Sequence, residues 1–250
     1  MATYVCSDIH GRYDRFLALL DKIDFKDTDE LYILGDVIDR NDGGIEILKY
    51  IMEKENIHLL MGNHEIMMLN YLNYGNTIWM YPSNGGNITY SNYIKESTTR
   101  QKQIKDYLSN LPYIVVVTVG DETYHLSHSG TIKHVKDKSL WMGDDLTNTE
   151  KDMILWMTPY RDDLYLPMSY YCEDYIYLLG HVPVQRIVGY DAYEMYPNRN
   201  IVDIDCGCAL SMQEEDNPER VKTALGCLRL DDCEKFYIIE KNIYGIGSEN

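Results

Sequence analysis

Six side chains of the kinds that hold divalent metals fall just beyond runs of strand-forming residues: Asp8 and His10, Asp36, Asn63, His128, and His181. Glycines flank them at Gly11, Gly35, Gly62, Gly130 and Gly180, where the backbone must turn sharply on leaving a strand. In open α/β sheets ligands gather beyond the carboxyl ends of strands, so these side chains are expected to converge in one crevice. Asp, His and Asn without thiolates describe a site for a hard-to-borderline divalent ion. Six protein ligands are too many for one open catalytic ion. They suit two ions ~3.5–4 Å apart, bridged by one carboxylate and a water-derived oxygen. Two dications against two carboxylates leave a positive pocket for a phosphoryl dianion and a hydroxide.

Nearby residues supply what in-line phosphoryl transfer needs. Arg40 offers a fork for phosphate oxygens, and His64 a proton for a departing alkoxide. Asp39 would orient His64 and raise its basicity. Asp8 and His10 stand two residues apart, a spacing that in extended chain turns both side chains the same way. Each residue alone also has a plainer role. Asp8 could cap the first helix, Asn63 could cap the helix that follows it, and a histidine beside a strand is more often a satisfied core or surface residue. The plainer roles would all have to hold at once. His58 and His125 lie inside strand runs and His134 lies in a polar loop, so the same rule excludes them as ligands.

The elements that must position these groups follow from periodicity. Residues 2–7, 31–34 and 57–61 read as strands. Helical spacing over 13–23 and 45–52 separates them, and a further helix runs over 64–72. That βαβαβ order predicts a parallel sheet with helices packed on it. Residues 78–111 mix loop and helix up to Pro112. Strand runs then dominate at 113–119, 123–127, 175–179, 200–204, 224–230 and 235–239, with one helix near 150–157. No Pro/Gly/Ser linker separates the halves, so a single domain over 1–250, built from two sheets and carrying a helical and loop insert at about 73–111, is expected. The stretch 213–219 reads as a polar, solvated loop.

Composition narrows the function classes. The 250 residues carry 40 acidic against 23 basic side chains, a net charge of -17 that disfavours general binding of nucleic acid or anionic membranes. It leaves room for a phosphate that meets a local metal. No apolar run reaches the ~20 residues of a membrane helix, and no signal-peptide pattern opens the chain, so a cytoplasmic location is expected. The six cysteines (6, 172, 206, 208, 227, 233) read as reduced thiols. Cys206-Gly207-Cys208 could be a metal or redox pair, but two buried strand-end thiols are the preferred reading.

In order, Asp8-Ile9-His10-Gly11, Gly35-Asp36-Val37-Ile38-Asp39-Arg40, Gly62-Asn63-His64-Glu65, His128 and Gly180-His181 resemble the signature of the phosphoprotein phosphatase family of calcineurin-like metallophosphoesterases. The likeness runs from residue 5 to about residue 230 and is closest to the short bacterial and phage-type members. It includes Asn84-Gly85-Gly86 with Thr89 and Ser91, the Leu155-Trp156 pair, and the strand at 201–205. The resemblance implies an α/β (α+β) fold: two mixed β-sheets packed as a sandwich flanked by helices. It also implies hydrolysis of phosphate esters by direct attack of a dimetal-bound hydroxide, without a phosphoenzyme. Carried over by position, Asp8, His10 and Asp36 hold one ion, and Asp36, Asn63, His128 and His181 the other. His64 with Asp39 forms the acid pair and Arg40 binds phosphate. Arg161 is the candidate for a second phosphate-binding arginine; a surface salt bridge beside Asp162 and Asp163 is the alternative. Two divalent ions are expected, manganese first, with iron or zinc as other occupants.

The expected activity is hydrolysis of phosphate monoesters, foremost phosphoserine and phosphothreonine in proteins, with phosphotyrosine as a further substrate. Symmetrical diadenosine tetraphosphate hydrolases resemble the chain in the same motifs and give the alternative. Tyr71, Tyr74, Trp79, Tyr81 and Trp141 could form the base-stacking wall that such a substrate calls for. A metal-free, inactive binding protein is the remaining alternative, disfavoured because every proposed ligand and the acid are present.

Overall fold

The computed structural model describes residues 1–187, 193–210 and 223–239. Strand β1 (Thr3–Cys6) is followed by α1 (Tyr13–Lys22), β2 (Glu30–Ile33), α2 (Gly44–Met52) and β3 (Ile57–Leu59). The three strands pair in parallel, with Cys6 opposite Ile33 and Ile33 opposite Leu59, so their carboxyl ends finish at one edge. Helix α3 (Asn63–Tyr74) leads into a 3-10 turn over Thr77–Met80, then α4 (Gly86–Tyr93) and α5 (Thr98–Ser109).

The second sheet uses β4 (Ile114–Val119), β5 (Glu122–Ser127), β6 (Leu140–Trp141), β7 (Ile176–Leu179), β8 (Tyr196–Asn198) and β9 (Ile201–Asp203), in the order β6-β4-β5-β7-β9-β8. Helix α6 (Asn148–Trp156) precedes β7 and starts at a capping box of Thr147 and Glu150. Strands β5, β7 and β9 run parallel, so a second set of carboxyl ends shares an edge. The last described strands, β10 (Ala224–Arg229) and β11 (Lys235–Ile239), cross back to complete the first sheet as β11-β10-β1-β2-β3.

Two-residue alternation sorts each strand between layers. In β1, Val5 points to the layer between the sheets, where it meets Leu126, Leu178 and Leu228, whereas Tyr4 and Cys6 face the helices. In β7, Leu178 faces the same inner layer while Tyr177 and Leu179 turn outward beneath Leu166 and Tyr171. Burying both faces explains why these strands are apolar along their length.

The architecture is the expected pair of mixed sheets with helices. The sheets do not divide as the two halves of the chain do, because β10 and β11 join the amino-terminal sheet. Strands β6 and β8 are two and three residues long, too short to register as alternation. The stretch 213–219 lies outside the described residues. No helix among the described residues is long and apolar enough to cross a membrane.

Candidate active site

The carboxyl ends of β1, β2 and β3 and those of β5 and β7 meet between the sheets. Hydrogen bonds tie the two edges together: His128 Nδ1 donates to the Leu34 carbonyl at 2.7 Å, and the His181 N–H donates to Asp8 Oδ2 at 3.0 Å. The approach is close at Gly180, where a Cβ would lie 2.2 Å from Asp8 Oδ2, so only glycine fits there.

Asp36 stands at the centre, 1% exposed. Its Oδ2 lies 3.6 Å from His10 Nε2 and 3.8 Å from His64 Nε2, and its Oδ1 lies 3.6 Å from His128 Nε2. Two groups that could each hold an ion share this carboxylate: His10, Asp36 and His64, and Asp36, His128 and His181. Asn63 Oδ1 lies 2.7 Å from His128 Nε2 and 3.1 Å from His181 Nδ1. Asp8 Oδ1 lies 4.0 Å from His10 Nε2, buried and without a hydrogen-bond partner among the described residues.

This donor set fits a pair of divalent ions. His10 gives its Nδ1 proton to the Ile38 carbonyl at 3.0 Å, as His128 does to Leu34, so both Nε2 lone pairs are left to face Asp36. An orphaned buried carboxylate oxygen on Asp8 is costly unless a cation meets it. The plainer roles of two residues do not match the structure. Asp8 makes no cap for α1, whose N-cap is Arg12 with no side-chain cap bond, and Gly62 rather than Asn63 is the N-cap of α3.

Charges in the crevice are strongly coupled. Burial opposes ionisation of Asp36, yet His128, His64 and His10 together hold its carboxyl well below the usual carboxylate range. Burial lifts the Asp8 carboxyl above its usual value. Burial, reinforced by Arg40 and His64, drives His10 well down, and burial with His128 pushes His181 down to about 3, so both imidazoles are neutral and able to ligate. Burial works against a charged His64, but Asp36 and Asp39 outweigh it and raise that imidazole. His64 Nδ1 donates to Asp39 Oδ2 at 2.7 Å, and Arg40 Nη2 lies 3.5 Å from His64 Nε2.

The way Asp8 and His10 converge differs from the expectation of extended chain. Both have φ of 47°, and Asp36, Asp39, Arg40 and His181 also lie at positive φ. Left-handed backbone at non-glycine residues costs ~1–3 kcal/mol each and clusters where function over-determines the geometry. Such turns aim side chains back over the strand ends, which alternation would not do.

Arg161 stands in a two-pronged ion pair with Asp163, its Nε donating to Oδ1 at 3.0 Å, on a side chain 36% exposed. Its charge still reaches His181, whose protonated form it disfavours. His58, His125 and His134 pair elsewhere, with Glu30, Thr131 and Glu150.

Glu65 went without a role in the sequence reading. Fully buried, it accepts the Asp36 N–H at 2.8 Å, the Val37 N–H at 3.0 Å and the Gly62 N–H at 3.2 Å, locking the loop after β2 to the start of α3. A glutamate three residues after an N-cap is the capping-box spacing, the signal that could have found it. Glu65→Gln replaces an acceptor that serves three donors with an amide that serves them less well. Metal affinity is expected to fall ~10–100-fold, as for other partners that orient ligands, measured by titrating apoprotein with Mn2+.

The sequence profile of calcineurin-like phosphoesterases matches residues 1–204. A symmetrical bis(5'-nucleosyl)-tetraphosphatase of Salmonella paratyphi B is 41% identical over 71 residues, which are 28% of this chain and 25% of that protein. The match thus spans a quarter of that relative's length. Among solved structures, a protein serine/threonine phosphatase from Saccharomyces cerevisiae superposes with a TM-score of 0.60 at 14% identity, over 98% of this chain and 81% of that one. A cold-active protein tyrosine phosphatase superposes with a TM-score of 0.55 at 16% identity, over 94% of this chain and 78% of its own. At those identities the likeness is one of fold. With the profile covering the crevice and most of both sheets, the chain belongs to the calcineurin-like phosphoesterase family, whose members are metal-dependent hydrolases of phosphoric esters.

Proposed function

We propose that the chain is a phosphomonoesterase acting on phosphoserine and phosphothreonine in proteins, and on phosphotyrosine as a further substrate. Asp8, His10 and Asp36 hold one ion, and Asp36, Asn63, His128 and His181 hold the other. The observation that carries the two-ion part of this reading is the sharing of the Asp36 carboxylate between two trios of potential ligands, one with His10 and His64 and one with His128 and His181. When bound, two divalent ions supply Lewis acidity toward the phosphoryl oxygens and an activated water nucleophile.

The chain's own residues do the rest. Arg40 offers parallel N–H donors to the phosphoryl group, which fixes its orientation for in-line attack. His64 commits Nδ1 to Asp39, leaving Nε2 to give a proton to the departing oxygen. The Arg40 guanidinium lies 3.5 Å from that nitrogen, so a phosphoryl group held by Arg40 would stand within reach of the His64 proton. Arg161 adds a second phosphate contact if the substrate draws it from Asp163.

The second reading is symmetrical hydrolysis of diadenosine tetraphosphate, favoured by the 41% identity to a symmetrical bis(5'-nucleosyl)-tetraphosphatase. Two of the aromatic residues expected to stack bases are poorly placed for it: Trp79 is fully buried and Trp141 is 3% exposed. Tyr74 and Tyr81 remain exposed. A cavity of 540 Å³ beside Met67, Tyr74, Ile78 and Trp156 offers room for a residue or nucleoside flanking the phosphate.

Phosphate release from phosphoserine, phosphothreonine and phosphotyrosine peptides, compared with cleavage of the dinucleotide, separates the readings. The peptides are expected to show the higher kcat/KM. A preference for the dinucleotide, split into two molecules of ADP, would replace the leading reading by the second. Manganese is the proposed native ion, with iron or zinc accepted by the same ligands. The six free cysteines support a reducing, cytoplasmic setting.

A further inference from the structure

Part of the segment after α3, within the insert at about 73–111, grips the loop that holds Asp39 and Arg40. The Trp79 indole Nε1 donates to Asp39 Oδ2 at 2.7 Å, the same oxygen that accepts His64 Nδ1 at 2.7 Å. The Asp39 N–H donates to Thr89 Oγ1 at 2.8 Å. Asp39 Oδ1 has no partner among the described residues, so Oδ2 alone sets the carboxylate's orientation through side-chain donors.

The grip is rigid. Trp79 is fully buried, with Tyr71 and Tyr90 against its ring at centroid separations of 5.5 and 6.3 Å. Gly85 and Gly86 bring the segment down without intervening side chains. A Cβ on Gly85 would lie 2.5 Å from the Arg40 nitrogen, and one on Gly86 would lie 2.3 Å from the Trp79 carbonyl oxygen. The terminal torsion of an aspartate is soft and roughly two-fold, so a single hydrogen bond to His64 would let carboxylate and imidazole swing together. A second donor on a fixed frame removes that freedom.

We propose that Trp79 and Thr89 are positioning residues for proton donation: they fix the Asp39 carboxylate and so aim His64 Nε2 at the departing oxygen. The proposal rests on the reading of His64 as proton donor. Neither residue touches the substrate. Their effect therefore scales with how much the leaving group needs a proton, which a merely structural role would not produce.

The test compares phenyl phosphate, whose leaving group needs protonation, with 2,4-dinitrophenyl phosphate, whose leaving group does not, in holoenzyme loaded with Mn2+. Trp79→Phe keeps a buried ring and removes the N–H. It is expected to lower kcat on phenyl phosphate about 10-fold, the order of one hydrogen bond to a charged group, and to leave kcat on the dinitrophenyl ester within about twofold. KM and metal content should stay at parental values. Thr89→Val, nearly isosteric, is expected to give the same pattern and serves if the tryptophan variant loses its fold, with Thr89→Ser recovering most of the loss. Equal loss on both esters, or no loss on either, in the folded variants overturns the proposal. His64→Asn is the internal reference. If it shows the leaving-group dependence and the Trp79 and Thr89 variants do not, only the positioning role falls. If His64→Asn itself shows none, the proton-donor reading falls and the proposal with it.

Discussion

Asp36→Asn is expected to lower metal content and turnover together, from about two ions per chain toward one or none. Of the proposed ligands, Asp36 alone belongs to both trios, and its carboxyl is held well below the usual carboxylate range. An asparagine keeps the shape and can still accept the His64 N–H, now made to Oδ1 at 3.0 Å. Its amide nitrogen, however, places N–H donors where Oδ2 now faces His10 Nε2 at 3.6 Å. Those donors can bond directly to the imidazole lone pair and close the space a cation would occupy. Loss of ion-derived stabilisation is worth several kcal/mol, so kcat/KM on p-nitrophenyl phosphate should drop ~10³-fold or more. Elemental analysis of the purified variant alongside the parent is the decisive measurement. A parental ion content with activity lost would show that Asp36 is not the bridge. The variant should stay folded, since it removes a buried charge, and unfolding in urea distinguishes that from collapse of the site.

How far the sequence revealed this site depends on which physical signal each residue leaves. Asp8, Asp36, Asn63, His128 and His181 were legible as candidates because each follows a strand run, most with a glycine close by, and parallel strands bring such ends to one edge. The same logic could not show how Asp8 and His10 turn inward, since left-handed backbone at a non-glycine residue has no composition signature. Long-range partners were hidden for a related reason. Trp79 lies 40 residues from Asp39, in a segment whose helices carry weak periodicity, and nothing local marks its indole as a donor to that carboxylate. Glu65 did leave a trace, the spacing of a capping box, but its value lies in the backbone N–H groups of Asp36 and Val37 that only the fold brings near.

Aromatic residues and arginines were the least legible. Twenty-three tyrosines and three tryptophans offer many candidate stacking surfaces in the chain, and burial decides among them. Trp141 lies at β6, its Nε1 donating to the Val135 carbonyl at 3.3 Å, away from any exposed wall. Arg161 pairs with Asp163 in the structure, and its charge disfavours the protonated form of His181. A flexible exposed side chain reports its resting partner, and a substrate with two charges can compete for it, because exposed ion pairs contribute only ~0–1 kcal/mol.

His64→Asn should leave both ions bound while slowing hydrolysis ~10²–10⁴-fold on substrates with poor leaving groups, the range for a lost general acid. The separation of binding from chemistry follows from geometry. His64 sends its Nδ1 to Asp39 and has Arg40 Nη2 3.5 Å from Nε2, whereas Asp8, Asn63, His128 and His181 keep their contacts with one another whatever stands at 64. Asparagine retains the backbone N–H that donates to Asp36 Oδ1, so the Asp36 carboxylate stays in place. An amide cannot release a proton to an alkoxide, and the cost should therefore shrink as the leaving group becomes more acidic, through phenyl to p-nitrophenyl to 2,4-dinitrophenyl phosphate. Plotting log kcat against leaving-group acidity should give a steeper line for the variant than for the parent. Parallel lines would remove His64 from proton transfer, and loss of metal in the variant would return it to the ligand set that its distance of 3.8 Å from Asp36 Oδ2 also permits.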